Sequence, residues 1–335
     1  MKLSKKKAFV LKSAALVLLL SVCAGSAAAQ NVRNVPVALE HERAAGPVVY
    51  MTAEISPASL QRVYEALGRK AAASTPDGKV AVKISTGEPG GKNFLQPALI
   101  GKFIRDLNGT IVECNTAYGG RRASTALHKQ VLADHGFTAV APCDILDEDG
   151  STSIPVTGGI RIKEAFVGSH FDRYDFYVIL SHFKGHAMGG FGGAIKNIAI
   201  GMQSSMGKAW VHSGGKSKTN PWGGKQDEFL EAMAEATKGF ADYQGERILY
   251  INVMNRLSVD CDCDANPAEP DMHDIGILAS LDPVALDQAC VDFVYAAADG
   301  GSLRQRIESR NGIHTLEHAA AVGLGSCTYR LVRLE

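Results

Sequence analysis

The sequence of 335 residues alternates short apolar runs with polar, glycine-rich loops and with amphipathic stretches of helical period. Three apolar runs of strand length, Val80 to Ser85, Thr110 to Cys114 and Phe176 to Leu180, each end in such a loop. Helical patterns follow two of these loops, at Pro97 to Leu107 and at Ser124 to His135. This alternation is typical of βαβ units. We therefore predict an α/β fold with a mainly parallel sheet flanked by helices, in one or two lobes.

The rest of the pattern adds elements on both sides of these units. Further predicted strands are Val48 to Thr52, Arg247 to Met254, Ile275 to Ser280 and Tyr329 to Leu334. Further predicted helices are Pro57 to Leu67, Asp227 to Tyr243, Pro283 to Ala298, Leu303 to Arg310 and Thr315 to Val322. Ile154 to Phe166 predicts a hairpin that turns at Gly158-Gly159. Val211 to Lys225 lacks core periodicity and is predicted to be a surface excursion.

The first 29 residues have the pattern of a secretory signal peptide. A basic start around Lys5-Lys6-Lys7 precedes the apolar run Ala14 to Ala24, which is too short to span a membrane. Ala27-Ala28-Ala29 then offers a cleavage site. We expect residues 1–29 to be removed, so that 30–335 form a single α/β domain without a membrane span. The protein would be secreted across the inner membrane into the periplasm.

Composition narrows the range of partners. Lys+Arg and Asp+Glu number 35 each, and the leader holds five of the lysines and no acid. The mature chain therefore has 30 basic residues against 35 acidic ones. A mildly acidic balance gives no indication of nucleic-acid binding. The length is sufficient for a substantial hydrophobic core.

The stretch Ser181 to Gly201 concentrates polar and glycine residues directly after a predicted buried strand. Lys184, His186, Lys196 and Asn197 fall within it, and five glycines between positions 182 and 197 allow sharp turns and close approach to a ligand. Open α/β sheets bind ligands at the carboxyl ends of their strands. We interpret the stretch as a ligand-binding loop. The alternative is a solvent loop with incidental histidines.

A second chemical stretch begins with Asp260-Cys261-Asp262-Cys263-Asp264. Residues two apart on an extended segment face the same side, so both thiols can point at one object. Cys261, Cys263, His273 and His186 are candidate ligands of zinc or iron. A reactive Cys-x-Cys disulfide and two thiols without a role remain alternatives. The aspartates would raise the thiol pKa unless a cation is present, which favours the metal.

Cationic residues in several strand-end loops predict a site for a small anionic molecule. Parallel strands would bring these loops together, where cations and glycine backbone suit a carboxylate or phosphate. The candidate substrate-binding residues are Lys92, Asn93 and Arg121, although Arg121 and its neighbour Arg122 could equally be ordinary surface charge. Lys184, Lys196 and Asn197 are the candidates for stabilising developing negative charge in catalysis.

One further motif matches a known pattern. His314-Thr315-Leu316-Glu317-His318 fits the His-x-x-Glu-His pattern of one zinc peptidase class. Those enzymes need another acidic ligand well downstream, and only Glu335 follows. A peptidase is therefore not expected. His318 remains a candidate residue of the substrate pocket.

Two long motifs together resemble a known family. KGHAMGGFGGAIKNIAIG at 184–201 and DCDCDANPAEPDMHDIGILASLDPVALDQACVDFV at 260–294 are similar to the bacterial and archaeal domain-of-unknown-function family numbered three hundred and sixty-two. The closing LEHAAAVGLG is also similar, so that the resemblance spans about Val80 to Leu334. It implies an α/β fold with a shared pocket. The chemistry of that pocket is not generally established for the family.

Many members of that family carry a ferredoxin-type insert between the two motifs, with Cys-x-x-Cys-x-x-Cys runs for two iron–sulfur clusters. The corresponding span here, Gly207 to Asp227, contains no cysteine. No pair of [4Fe–4S] clusters is therefore expected, and electron transfer cannot be inferred from the resemblance. We expect an exported metal-binding protein, and among the possibilities favour an enzyme acting on a small anionic substrate. The alternatives are a non-catalytic ligand- or metal-binding module and an iron–sulfur redox protein.

Overall fold

The apolar runs assemble as strands of one central sheet in the computed structural model, which describes residues 45–68 and 79–335. The predicted signal peptide, residues 1–29, lies outside the described residues. The strands of the described residues are β1 Val48–Thr52, β2 Val80–Lys83, β3 Gly109–Glu113, β4 Cys143–Ile145, β5 Ser151–Pro155, β6 Glu164–Gly168, β7 Phe176–His182, β8 Lys184–His186, β9 Gly190–Gly192, β10 Ile248–Met254, β11 Gly276–Ser280 and β12 Arg330–Arg333.

Helices cover both faces of this sheet. The α-helices of the described residues are α1 Pro57–Ala66, α2 Pro97–Asp106, α3 Thr125–Asp134, α4 Ala194–Ala199, α5 Ser205–His212, α6 Gln226–Gln244, α7 Pro283–Ala296, α8 Gly301–Ser309 and α9 His314–Ala321. Some of them begin at a side-chain cap. The Ser56 hydroxyl accepts from the Ser59 N–H, and the Asp282 carboxylate accepts from the N–H groups of Val284 and Ala285. No helix of the described chain is long and apolar enough to cross a bilayer.

The main sheet has eight strands in the order β12-β1-β11-β10-β7-β2-β3-β4. Five of its seven neighbouring pairs are parallel, and only the two pairs that β11 makes are antiparallel. The prediction of an α/β fold with a mainly parallel sheet is confirmed. The parallel run from β10 to β4 puts the carboxyl ends of five strands at one edge.

The strand order reverses in the middle of this parallel run. From β2 the chain proceeds outward to β3 and β4, whereas β7 lies on the other side of β2 and is followed outward by β10. Connections on either side of such a reversal leave in opposite directions and open a crevice at the carboxyl ends of the strands. The crevice is therefore expected between β2 and β7.

Two hydrophobic clusters pack on opposite faces of the sheet. Tyr177 and Ile179 of β7 belong to one cluster, and Phe176, Val178 and Leu180 belong to the other. Successive side chains of a strand point to opposite faces, which explains the alternation. Because both clusters share one sheet, the described residues form a single compact unit rather than two lobes.

Two local expectations have clear outcomes. The hairpin expected within 154–166 is confirmed, because β5 and β6 pair antiparallel with Ile154 opposite Ala165. The surface excursion expected from Val211 is wrong for its first four residues. Helix α5 continues to His212, and Val211 to Gly214 are buried. Of these four residues, His212 lines a polar cavity, and the Ser213 hydroxyl bonds to the backbone carbonyls of Trp210 and Ser217.

Candidate functional site

A small cavity lies at the carboxyl ends of β2, β3 and β7, where the strand order reverses. Its volume is about 70 Å³. A water occupies roughly 10–15 Å³ by this kind of measure, so the cavity has room for about five to seven heavy atoms. Five cationic side chains line it, together with Glu113, Cys263 and three histidines; the cations are Lys83, Arg122, Lys184, Lys196 and Lys208.

The loop after β7 and the loop after β10 are joined at this cavity. The Gly185 N–H donates to the Ser258 carbonyl at 2.8 Å. A Cβ on Gly185 would lie 2.1 Å from the Val259 carbonyl oxygen. Only glycine therefore allows the two backbones to come this close. The contact brings together the two stretches that the sequence singled out.

Asp262 fixes this junction through side-chain contacts. Its carboxylate lies 2.8 Å from Nδ1 of His182 and 2.8 Å from Nζ of Lys184, and all three side chains are buried. Although burial opposes ionisation, these two partners hold the pKa of Asp262 well below its usual value. The other nitrogen of His182, Nε2, lies 2.6 Å from the Asn255 carbonyl. Asp262 thus orients the segment that carries both cysteines.

Cys261 is paired with an ammonium group. Lys196 Nζ donates to Cys261 Sγ at 3.0 Å. A hydrogen bond from Cys263, assisted by the charges of Lys196 and Lys184, holds the pKa of Cys261 well below its usual value despite burial. The same hydrogen bond and burial raise the pKa of Cys263. Cys261 is therefore the more acidic thiol of the pair, and both are free rather than disulfide-linked.

His186, Cys261 and Cys263 form a possible metal-binding cluster. One ring nitrogen and the two sulfurs all lie within 4.8 Å of one another. Two sulfurs and an imidazole suit zinc or iron. The Gly189 N–H, however, donates to Nδ1 of His186 at 2.8 Å and occupies the lone pair of the neutral ring. Metal binding would require this amide to release the ring. The Cys261 sulfur has further lone pairs and could bind a metal while it accepts from Lys196.

Glu113 and Lys83 form a buried ion pair at the ends of β3 and β2. Lys83 Nζ lies 2.9 Å from Glu113 and donates to the Asn197 side-chain oxygen at 3.0 Å. Arg122 approaches the other oxygen of Glu113 at 3.5 Å and bonds to Glu88 at 2.8 Å. Although burial opposes ionisation, Lys83 and Arg122 lower the pKa of Glu113 to about 2.

Asn197 holds the floor of the cavity. Its amide nitrogen donates to the carbonyls of Lys83 and Leu180 and to the Ser181 hydroxyl, at 3.0–3.4 Å. These bonds tie α4 to β2 and β7. Asp287 accepts from the N–H groups of Ala194 and Ile195 at the start of α4, at 2.8 and 2.9 Å. Burial raises the pKa of Asp287 to about 6.

Lys208 and His212 approach the cavity from α5. Lys208 Nζ donates to the carbonyls of Gln203 and Cys114, at 2.6 and 3.4 Å, and no carboxylate of the described chain pairs with it. The His212 Nδ1–H donates to the Lys208 carbonyl at 2.7 Å. Burial lowers the pKa of His212 to about 4. Lys208 therefore supplies a positive charge that no carboxylate within residues 45–68 and 79–335 neutralises directly.

The structure brings some of the predicted site residues together and leaves others apart. Lys184, His186, Lys196, Asn197 and Cys263 line the cavity, and Cys261 contacts Lys196. His273, predicted as a metal ligand, is exposed and lies outside the cluster, with Nδ1 2.8 Å from Asp299. The loop after Cys263 leads it away from the cavity.

The four residues predicted to bind substrate do not line the cavity. Lys92 is exposed, and Asn93 bonds to Arg256 and to the Ala268 carbonyl. Arg121 points outward to Asp134, and its neighbour Arg122 occupies the buried position instead. His318 is buried against Glu235 at 2.8 Å, between α9 and α6.

Several residues of the site were not predicted from the sequence: Lys83, Glu113, Lys208, His212 and Asp262. Lys83 and Glu113 carry a signal, because each is a charged residue inside an otherwise apolar strand, near its carboxyl end. Such residues are almost never fully buried unless paired. Lys208 and His212 carry no comparable signal, because their segment resembles an exposed loop.

Comparison with known proteins gives two results. The lactate racemase apoprotein from Thermoanaerobacterium thermosaccharolyticum is similar in structure, with a TM-score of 0.43 and 13% sequence identity. The match covers 74% of this chain and 57% of that chain, so this chain spans less than two thirds of that protein. No curated protein sequence matches the chain significantly.

The family comparison is more informative. The profile described as Domain of unknown function (DUF362) matches residues 80–292, which is more than half of the chain. The match contains β2, β3, β7 and β10 and both loops that join at Gly185, so it includes the whole cavity wall. The chain belongs to the DUF362 family.

Proposed function

We propose that this protein is an exported enzyme that acts on a small anionic substrate in the cationic cavity, next to a metal ion held by His186, Cys261 and Cys263. One observation carries the proposal: five cationic side chains surround a cavity of about 70 Å³ that also has a thiolate and a neutral imidazole beside it. Such a collection of charge is costly to bury unless a ligand or a partner neutralises it.

The charge balance supports a small anion as the ligand. Lys83 and Arg122 are paired with Glu113 and Glu88, Lys184 with Asp262, and Lys196 with the Cys261 thiolate. Lys208 alone among these five cations bonds only to backbone carbonyls. One positive charge therefore remains for a ligand. A carboxylate or similar monoanion beside Lys208 would complete the balance.

The anion site can be tested by calorimetric titration with pyruvate and malonate, whose sizes suit the cavity. Replacing Lys208 with Met removes the unneutralised charge, and we expect affinity to fall by at least about tenfold, equivalent to losing one charged hydrogen bond. Lys102→Met is the control, because Lys102 is exposed on α2 and pairs with Asp106. If Lys208→Met binds these anions with the affinity of the wild type, Lys208 is not the residue that holds the anion.

The metal is the second part of the proposal. Cys261, Cys263 and His186 supply a donor set typical of zinc or iron, with a position left for substrate. A metal there would act as a Lewis acid on a substrate oxygen. We expect about one zinc or iron per chain in protein purified from the periplasm, and loss of that metal in the double variant Cys261→Ser, Cys263→Ser.

The matched control for the metal test is the double variant Cys143→Ser, Cys327→Ser. Both of these thiols are partly buried and lie outside the cavity. Full metal content in the Cys261, Cys263 variant would refute the ligand assignment. The absence of metal from the wild type would refute the metal part alone, since anion binding is measured separately.

A second candidate function is favoured by two contacts around the cluster. Lys196 already provides a cation for Cys261, and the Gly189 N–H already occupies the lone pair of His186. These contacts suit a metal-free enzyme in which the Cys261 thiolate is the nucleophile. This candidate would be supported over the first by two results together. The purified protein would contain no metal, and iodoacetamide would alkylate Cys261 at pH 6 only when Lys196 is present.

Export is the remaining part of the proposal. It depends on the basic start, apolar run and alanine cleavage site of residues 1–29. We expect protein expressed from the full sequence in a bacterial host to appear in the periplasmic fraction with Gln30 as its first residue. Intact-mass measurement decides this, and an uncleaved chain in the cytoplasmic fraction would contradict it.

A further inference from the structure

We propose that Nε2 of His212 is the base that removes a carbon-bound proton from a small carboxylate held in the cavity. The inference rests on the anion site proposed above and names the substrate class and the reaction type for it. The substrate would be a carboxylate of about five to seven heavy atoms with a C–H bond next to a carbonyl or carboxyl group. His212 is a residue that the sequence motifs did not indicate.

The hydrogen bonding of His212 fixes which nitrogen is basic. Its Nδ1 lies 2.7 Å from the Lys208 carbonyl oxygen, which can only accept. Nδ1 must therefore carry the proton, and the lone pair of the neutral ring is on Nε2. No hydrogen-bond partner of Nε2 is found in the part of the chain that the structure describes. His212 lines the cavity, so this nitrogen is available to a ligand.

The ring has a defined orientation. It stacks on Phe229 of α6, with ring centroids 5.0 Å apart and an angle of 18° between the planes. The Nδ1 bond and this stacking leave one edge of the ring, the Nε2 edge, for the cavity. A base with a fixed direction and no competing partner is what proton abstraction requires.

The position of His212 relative to Lys208 places it beside a bound anion. The two residues are four apart on α5, which puts them on the same face of the helix. Both line the cavity, and Lys208 is the lining cation for which the described residues provide no carboxylate partner. A carboxylate bound to Lys208 would therefore have its neighbouring carbon close to the His212 ring.

The surroundings keep His212 unprotonated until an anion arrives. Burial lowers its pKa to about 4, and the ammonium groups of Lys196 and Lys208 act in the same direction. The lone pair is thus free at neutral pH. A bound carboxylate would cancel part of the positive charge that disfavours an imidazolium, and the ring would become more basic when substrate is present.

The proposed step is balanced in atoms and charge. The Nε2 lone pair takes the proton, and His212 becomes an imidazolium. The electron pair of the broken C–H bond stays on the substrate, which becomes an enolate and gains one negative charge. Pyruvate would change from a monoanion to a dianion, and malonate from a dianion to a trianion. Its new negative charge faces the cations of the cavity. A carbon acid needs such stabilisation, whereas O–H protons exchange with water unaided.

The competing interpretation is that His212 serves only to hold the α5 backbone through its Nδ1–H. Asparagine separates the two roles, because its side-chain N–H can replace the Nδ1–H donor while no group replaces Nε2. His212→Asn should therefore keep the fold and lose the base. His212→Gln, which also lacks a basic nitrogen, is the second variant if the first is unstable.

The experiment follows deuterium incorporation by proton NMR in D₂O, with pyruvate and malonate as probes. We expect the wild type to accelerate exchange of the probe C–H protons. His212→Asn should be at least about 100-fold slower, as expected for loss of a general base, while binding measured by calorimetry changes little. In ¹⁵N spectra of the free wild type, the ring of His212 should be protonated on Nδ1 only.

The outcomes are distinguishable. If the probes bind but do not exchange, or if His212→Asn exchanges them at the wild-type rate, this inference is overturned while the anion site stands. A ring protonated on Nε2 in the free protein also overturns it. If neither probe binds to the wild type, the proposed anion site fails, and the inference fails with it.

Discussion

The pairing of individual charges determines which side chains of the cavity are fixed and which can respond to a ligand. Glu113 is buried beside Lys83 and Arg122, and Asp262 is buried between Lys184 and the His182 ring. The Cys261 thiolate takes Lys196 as its cation. The aspartates beside the cysteines had suggested that a metal must supply this charge. The structure shows that a lysine can supply it, so the donor set alone does not decide for a metal.

Removing the Lys196 charge should weaken the acidity of Cys261. An opposite charge within about 4–6 Å typically changes a pKa by 1–3 units, and Lys196 lies 3.0 Å from the sulfur. We expect Lys196→Met to raise the pKa of Cys261 by at least about one unit. Thiolate absorbance at 240 nm, followed against pH, measures the change.

The other cysteines do not interfere with that titration. Burial raises the pKa of Cys114, Cys143, Cys290 and Cys327, so none of them ionises in the same range. Cys261→Ser should remove the acidic step and identify it. Lys102→Met is again the control, and a midpoint that stays the same in Lys196→Met would show that Lys196 is not the stabilising cation.

The buried pair of Glu113 and Lys83 should be important for stability. Glu113→Gln leaves Lys83 and Arg122 without their shared carboxylate, and breaking a buried pair costs about 3–5 kcal/mol. We expect the free energy of unfolding in urea to fall by about that amount. Asp106→Asn breaks the exposed pair with Lys102 and should cost less than about 1 kcal/mol. Equal losses in the two variants would contradict the argument.

At the scale of elements, the site depends on loops that leave the sheet at one edge. The loops after β2, β3, β7 and β10 meet because these strands are parallel neighbours. Short elements then set the fine positions. The β8–β9 hairpin arises within the glycine-rich stretch, and α4 begins at Gly193 against Asp287.

Gly185 is the position at which the two functional loops come closest. A Cβ in Gly185→Ala would lie 2.1 Å from the Val259 carbonyl, and backbone must move to accommodate it. Overpacking of this kind costs about 1–3 kcal/mol. We expect that loss in urea unfolding, together with a raised pKa of Cys261 as Lys196 and Cys261 separate.

Gly119→Ala is the matched control for Gly185→Ala. It lies in the loop after β3, where no heavy atom is within 4 Å of the added Cβ. Its stability and thiol titration should match the wild type. An unaltered thiol titration in Gly185→Ala would indicate that the contact between the loops does not position Cys261.

Asp287 should make stability depend on pH through its capping of α4. Its pKa is raised to about 6 by burial, against about 3.9 in an unfolded chain. Such a group favours the folded state below pH 4, and this contribution is lost as pH rises through 6. We expect the stability difference between wild type and Asp287→Asn to change by roughly 2–3 kcal/mol from pH 4 to pH 7.

As pH rises from 4 to 7, the wild type should lose stability relative to Asp287→Asn, because only the wild type has an ionisable group at this buried position. Urea unfolding at half-unit pH intervals measures the difference. Asp282→Asn offers a comparison at another capping aspartate. Asp282 is less buried than Asp287, so burial raises its pKa by a smaller amount. A pH-independent difference would place the Asp287 pKa near its ordinary value.

Periodicity predicted most elements well and predicted the short ones poorly. Helix α6 and strand β10 were expected within one or two residues of their bounds, because their apolar patterns are long. The three-residue strands β4, β8 and β9 have no room for a pattern. Their pairing depends on distant neighbours, which a local pattern does not contain.

The site could be predicted in part for a similar reason. Lys184, Lys196 and Cys263 lie in glycine-rich or cysteine-containing stretches that differ from ordinary loops. Whether Arg121 or Arg122 turns inward depends on one residue of helical phase in a 3₁₀ turn. His273 follows the cysteines closely in sequence, yet its loop is directed to Asp299. Proximity along the chain did not determine proximity in space.

At the scale of the whole molecule, one sheet joins two hydrophobic clusters. Every central strand contributes side chains to both faces, as β7 does with Tyr177 and Val178. If the sheet unfolds on the face of one cluster, the packing of the other cluster is disrupted as well. The cavity lies at the edge of this shared layer, so its geometry depends on both faces.

Unfolding should therefore be coupled across the sheet. Leu60→Ala creates a cavity in the cluster of α1, on the face opposite to Trp210. We expect a loss of about 2–5 kcal/mol, seen equally in far-UV circular dichroism and in the fluorescence of Trp210. A Trp222→Phe background removes the exposed second tryptophan. If Leu60→Ala leaves the unfolding midpoint measured by Trp210 fluorescence unchanged, the two faces of the sheet unfold independently.

The contact between Lys196 and Cys261 joins positions 65 residues apart, and the bond between Lys184 and Asp262 joins positions 78 apart. Neither can exist in a nascent or partly threaded polypeptide. An incomplete chain would thus carry only ordinary, weakly nucleophilic sulfhydryls. The reactive sulfur would arise as the last act of maturation, which would protect the cysteines from premature modification while the protein is still being made.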